Sequence, residues 1–496
     1  MKSPVFLFAA LVVTGSWSRA TFAQTPPPPS TEPVPLVEIY GNLFPFLEAV
    51  RSSGATTPAL VPGMTGASQV GAAAYTGLNQ PGRLRMDAGT TGIGFRGGVE
   101  IMHDLSVLWQ IETGIQFDNG AAGASTIGSR NTHIGLTGPS WGTLFFGSWD
   151  TPYKWSTVSL VNPIRGGFLA DYNSILNTPG FGVSAVTTQS GRAAGAADAA
   201  FDRRQGNAIQ YWTPNFSGLT ARLLYAIDEG RNATTATAPS IKPSILGAAV
   251  TFEYGPILLR DAFEAHLDYF GMSQIGGSPA DTPNNRHSTD WGNKAMGQFL
   301  NKANGFDTRI VGVFDTLSYE NDDIVMGANK KYTRAGVYGL IDQSFGKHHL
   351  WVGGGKAFAG SCEKVGGADC TTTGLGATDF VVGYLYRATK TLDFFAAGYR
   401  IANSASSSYT TSPGLGAPQV TAPGIAIESF GIGLWYTFSA KVIGPPGKPA
   451  TTPPPPAPVP PPAATNEPGP APSPTPGATD PPAEPAPAPP PPPPHG

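Results

Sequence analysis

The 496 residues include only 13% charged side chains, against roughly a quarter in a typical soluble domain, and 63 glycines. A formal net charge of −3 excludes a strongly basic nucleic-acid binder. Beyond the first 23 residues no apolar run approaches the roughly 18 residues of a spanning helix, so any passage through a membrane must use strands.

Residues 1–23 read as a secretory signal: Lys2, an apolar stretch over 5–13, and Thr21 and Ala23 as small residues at −3 and −1 of a cleavage after Ala23. A short proline-rich lead, 24–35, follows. The first strand is expected over 37–48 (VEIYGNLFPFLE) and the second over 81–97, whose apolar parity resets near Gly89 as at a bulge. Strands at 104–118, 129–137 and 142–149 come next, the last two joined by a tight turn. After a long connection, 150–203, the pattern resumes at 205–213, 219–228, 244–254 and 259–272. Residues 273–305 read as another long connection. Strands at 306–319, 324–327, 332–345, 349–359, 377–387, 391–402 and 425–438 complete the set.

The last strand carries the clearest signal. In 428–438 (ESFGIGLWYTF), Phe430, Ile432, Leu434, Tyr436 and Phe438 share one side, while Gly431, Gly433, Trp435 and Thr437 share the other. An apolar face with rings near its ends suits a strand between lipid and water. The count is sixteen, and long connections (49–80, 119–128, 150–203, 229–243, 273–305, 328–331, 360–376, 403–424) alternate with tight turns. The expectation is an all-β, transmembrane, antiparallel up-and-down barrel over 36–440 in the outer membrane, with both termini in the periplasm. Sixteen strands enclose water, so inward faces of Gly, Ser, Thr, Asn and charges are expected. Residues 441–496 are about half proline and read as a disordered, polyproline-like periplasmic tail, a spacer or a contact to the cell wall. Cys362 and Cys370, in an exported chain, point to a disulfide; two ligands are too few for a metal, and no cofactor is implied.

Several stretches resemble the trimeric general porins of Gram-negative bacteria. Residues 91–97 (TGIGFRG) with 108–113 (LWQIET) are similar to that family's second and third strands. Residues 129–136 (SRNTHIGL) with 141–147 (WGTLFFG) are similar to the fourth and fifth, and 204–225 (RQGNAIQYWTPNFSGLTARLLY) to the sixth and seventh. The resemblance implies a homotrimeric channel for passive diffusion of small polar solutes, assembled by machinery that reads the closing strand. It also implies that the connection after the fifth strand folds into the lumen and narrows it opposite wall arginines. Arg130 and Arg204 match the fourth- and sixth-strand arginines. The second-strand position is Gly92, with Arg85 and Arg96 as neighbours able to substitute. Residues 177–182 (NTPGFG) are similar to the family's Pro-Glu-Phe-Gly turn with glycine replacing the glutamate, which leaves Asp171 as the loop carboxylate.

Enzyme-like patterns fail on context. Residues 138–142 (GPSWG) satisfy G-x-S-x-G but join two strands, where a nucleophile elbow needs a strand and then a helix. Residues 353–356 (GGGK) lack the first glycine and the Ser/Thr of a phosphate loop, and His348 and His349 have no companion ligands. The chain is therefore read as no enzyme. A substrate-selective porin for phosphate or sugar is the second transport reading. A secreted β-protein or adhesin would explain export and alternation, but not the long and short connections.

Overall fold

The computed structural model describes residues 37–56, 79–115, 127–158, 160–161, 163–164, 174–179, 199–227, 242–271, 287–322, 326–367, 370–411 and 422–443. The expected signal and lead, the tail beyond Ile443, and Asp171 lie outside them. The chain divides into two units after Pro445, and all the described residues belong to the first.

Nineteen strand segments run as sixteen spans, because three spans are each interrupted once. They are β1 (Val37–Leu43 and Phe46–Ser53), β2 (Gln80–Asp87 and Gly92–Met102), β3 (Leu105–Gly114), β4 (Thr132–Gly138) and β5 (Gly142–Asp150). After the helix α1 (Pro152–Val158) come β6 (Arg204–Trp212), β7 (Leu219–Ile227), β8 (Ser244–Tyr254), β9 (Ile257–Leu267), β10 (Ser288–Ala303) and β11 (Phe306–Asn321). The wall ends with β12 (Asn329–Phe345), β13 (His348–Ala357 and Ser361–Lys364), β14 (Ala377–Arg387), β15 (Leu392–Asn403) and β16 (Ala426–Ile443). Each span pairs antiparallel with the next, and β16 returns to β1, so the sheet closes on itself and leaves no edge. The interruption in β2 falls at 88–91, with Gly89 at φ 54°, where the apolar parity resets.

Closure is a two-part ladder. Phe46–Ser53 pairs with the first half of β16, and Val37–Leu43 pairs with its second half, out to Ile443. The strand thus runs past the expected end of the barrel at 440. Between the halves, Pro45 interrupts the edge, and its carbonyl still accepts from Leu434 N at 3.1 Å. Gly41 sits across from Phe438, whose ring covers it. A Cβ at 41 would lie 2.6 Å from both Gly92 O and Phe438 Cζ. Gly41→Val must therefore displace either the β1–β2 ladder or the ring. It is expected to destabilise the barrel by about 1–3 kcal/mol, read as a lower temperature for loss of the folded band on electrophoresis.

Two strand assignments from sequence are corrected. Ser288–Ala303, expected as connection, is the full span β10, and of 324–327, expected as a strand, the described residues 326–327 form a turn before β12. The tight turn before β11 is 304–305, where Asn304 (φ 53°) and Gly305 (φ 80°) both take the left-handed conformation that an Asn-Gly hairpin requires. The errors cancel in the count but shift the connections: 268–287 and 322–328 belong to the long set.

Outward faces carry exposed large apolar residues, among them Leu223, Tyr225 and Ile227 on β7 and Leu246, Val250 and Phe252 on β8, as lipid contact demands. Inward faces depart from the expected uniform polarity. Met296, Val311, Val313, Tyr338, Leu340 and Trp351 on β10–β13 are buried inside the barrel. Val161, Ile164, Ile175 and Leu176, from the connection after β5, belong to the same apolar cluster. These described residues of the connection pack on an apolar patch of the inner wall, each such side chain contributing about 1.5–3 kcal/mol of burial. Cys362 and Cys370 are bonded, with Cα atoms 5.9 Å apart.

Candidate pore site

The inner wall of β1–β6 carries four of the singled-out arginines, each held by a carboxylate. Arg85 meets Glu48, its neighbour across the ladder, at 2.5 Å; Glu48 also accepts from Tyr399 at 2.8 Å. Arg96 meets Glu38, likewise its ladder neighbour, at 2.9 Å and lies over the Tyr40 ring at 4.7 Å. Tyr40 donates to Glu112 at 3.0 Å, and the other oxygen of Glu112 takes Arg130 Nε at 2.5 Å. Arg204 meets Asp150 at 3.2 Å and donates to Asn131 at 2.6 Å; Lys154 meets the same Asp150 at 3.5 Å. Arg96, Arg130 and Arg204 thus fall into one contiguous patch through Tyr40, Glu112 and Asn131, while Arg85 forms a separate pair.

Gly92, where the resembled family would place an arginine, has a physical explanation. A Cβ there would sit 3.4 Å from Arg130 Cδ and 2.9 Å from Thr113 O. The side chain of Arg130 passes over that spot. One arginine occupies the space of two.

The connection after β5 is pinned by wall cations that sequence reasoning missed. Helix α1 begins with Thr151 as cap, its hydroxyl accepting from Lys154 N at 3.3 Å, and with Pro152 in the first turn. Its far end is closed by Arg260, which donates to the carbonyls of Trp155 and Ser156 at 3.4 and 3.2 Å. The Trp155 ring is held by two guanidiniums, Arg222 at 3.5 Å and Arg260 at 3.9 Å from its centre. Lys294 donates to Thr157 and Asn177 at 2.8 and 3.1 Å. Arg309 holds the Leu160 carbonyl, Arg334 holds that of Thr178, and Asp315 accepts from Asn177 N at 2.8 Å. Asp202, fully buried where Lys154 and Lys294 act on it, has its carboxyl pushed above the ordinary range by that burial.

A family model described as Gram-negative porin matches residues 8–441. The chain belongs to the Gram-negative porin family. It is an outer-membrane channel for solute diffusion. Among solved structures, the anion-selective porin of Comamonas acidovorans aligns at 15% identity and TM-score 0.55, covering 81% of this chain and 99% of that one. OmpT of Vibrio cholerae aligns at 12% identity and TM-score 0.49 (81% and 97% covered), and Salmonella typhi OmpF at 12% and 0.44 (80% and 97%). A search of curated proteins finds no match.

The porin's decoy motifs resolve into structure. Ser140 sits in the turn between β4 and β5, its hydroxyl bonded to Asp104 of the neighbouring turn; those bonds hold the Asp104 carboxyl below its ordinary range. Residues 353–356 lie inside β13, and His348 stacks on Phe345 at 5.2 Å and meets the Tyr384 hydroxyl at 2.8 Å beside the 346–347 turn. The porin's missed partners Glu38, Glu48, Glu112 and Asp150 had a signal in the alternation, which puts each on an inward face. Which arginine each one meets depends on register, and register is not visible in one strand.

Proposed function

We propose that the channel is narrowed by the 150–203 connection beside the wall row of Arg85, Arg96, Arg130 and Arg204, and that it passes small polar solutes with a weak preference for anions. The observation that carries this reading is charge balance. The four wall arginines are matched one for one by Glu48, Glu38, Glu112 and Asp150. Arg222 and Arg260, by contrast, form no ion pair among the described residues and lean on Trp155. Matched pairs order water without a strong sign, and two unmatched guanidiniums tip the lumen positive. Asp171 as an opposing loop carboxylate, the homotrimer, recognition of the closing strand by assembly machinery, and a periplasmic proline-rich tail in contact with the cell wall belong to the same reading. So do long connections at the cell surface and the absence of an enzymatic role.

Reversal potentials across a potassium chloride gradient test it. The wild-type channel is expected to favour chloride slightly. Arg130→Ser with Arg204→Ser removes one cation from each of Glu112 and Asp150 and should shift the permeability ratio toward potassium by roughly two- to fivefold, since salt screens these charges over about 8 Å. A clearly cation-selective wild type, or an unmoved ratio in the double variant, refutes the reading.

A further inference from the structure

The outward faces of β15, β16, β1 and β2 carry an ion cluster on a wall that is otherwise apolar. Glu428 stands across the ladder from Arg51 on one side and Arg400 on the other. Its carboxylate meets them at 2.5 and 3.4 Å. The arginine side chains are nonetheless 69% and 60% exposed. All three residues lie near the long-connection ends of their strands, at Ser53, Asn403 and Ala426. That is the headgroup level, where charge on a barrel's outer face is tolerated. Two guanidiniums against one carboxylate leave a net positive charge facing outward.

Beside the cluster the wall is recessed by about 660 Å³. Ala49, Gly82 and Gly398 make the recess by having little or no side chain, and Arg83 also lines it. Leu84, Val382 and Phe430 line it as well, one row deeper than the row of Arg400, Glu428 and Arg51, while Phe380 stands level with Arg400 across the ladder. A cationic rim above an apolar hollow matches an amphiphile with an anionic head. A second copy of the chain fits less well. The exposed carboxylates at the same end among the described residues, Glu320, Glu363 and Asp322, are engaged by Lys331, Lys330 and the backbone of His287.

We propose that this recess binds the phosphate-bearing headgroup of a membrane lipid, with Arg51 and Arg400 on the phosphate and an acyl chain along Leu84, Val382 and Phe430. The proposal goes beyond the pore reading and takes from it only the membrane-spanning barrel. Purified full-length protein in detergent is titrated with phosphatidylglycerol or phosphatidylcholine micelles, and bound lipid is counted by native mass spectrometry. Phosphatidylglycerol should be retained in preference. Arg51→Gln with Arg400→Gln should cut that preference roughly 25-fold, at about fivefold per cation near an anionic headgroup. Glu428→Gln, which removes the competing carboxylate, should raise it. An unchanged preference in the arginine variant overturns the proposal. So does displacement of the lipid by millimolar inorganic phosphate, or a changed oligomeric state with lipid preference intact, which would make the patch a subunit contact. Should the arginine pair prevent assembly, Glu428→Gln decides alone: raised preference supports the proposal and unchanged preference refutes it. Reversal potentials are read separately, so failure here leaves the pore reading standing.

Discussion

Replacing Arg334 with methionine will destabilise the barrel by about 3–5 kcal/mol and make the open-channel current noisy. Arg334 and Asp315 form an ion pair at 3.3 Å with both side chains fully buried. Removing one partner strands the other's charge out of water, the costliest thing that can be done to such a pair. The same guanidinium holds the Thr178 carbonyl, and Asp315 holds Asn177 N, so the pair also fixes the connection that enters the lumen. The companion change Arg334→Met with Asp315→Leu replaces the pair by apolar groups and should recover most of the stability, read by urea titration of the folded band. It restores neither anchor, so its current should stay noisy. A single variant as stable and as quiet as the wild type would show that the pair does not hold the connection.

A charge at mid-depth on the closing strand is the second large effect. Ile432 lies in the middle part of β16, half exposed on the outer face, across from Ala396 and Leu47. Ile432→Arg should cost about 2–4 kcal/mol, whereas Tyr436→Asp, closer to the tight-turn end where Tyr436 stacks on Phe438, should cost only about 1 kcal/mol or less. Yields of folded protein in refolding into vesicles would rank the two. Equal yields would mean that this face of β16 does not meet lipid.

The closing strand was legible because its two faces differ in kind: aromatic and branched residues outward, glycine, Trp435 and Thr437 inward. β10 was hidden because its faces do not differ. Asn293, Gly297 and Asn301 dilute the outer side that carries Trp291 and Phe299, while Met296 sits among the inward Asp290, Lys294 and Gln298. Asn304-Gly305 was the overlooked signal, a hairpin turn inside a stretch read as connection. In the pore, the arginines could be placed by resemblance, which covered 91–225 and the closing strand. The anchors Arg260, Lys294, Arg309 and Arg334 lie outside that coverage. They touch residues more than a hundred positions earlier in the chain, a relation that no local pattern encodes.

Those long separations also order events in time. The connection after β5 precedes in the chain the cations that seat it, from Arg222 on β7 to Arg334 on β12. Contacts so distant along the chain form late, after the intervening segments have found their places. Closure of the wall joins residues farther apart still, such as Gly41 and Phe438, so by the same measure the connection can be seated on β9–β12 before the ring is shut. The width of the passage is then set by contacts among β5–β12 and does not wait for the strand that closes the barrel.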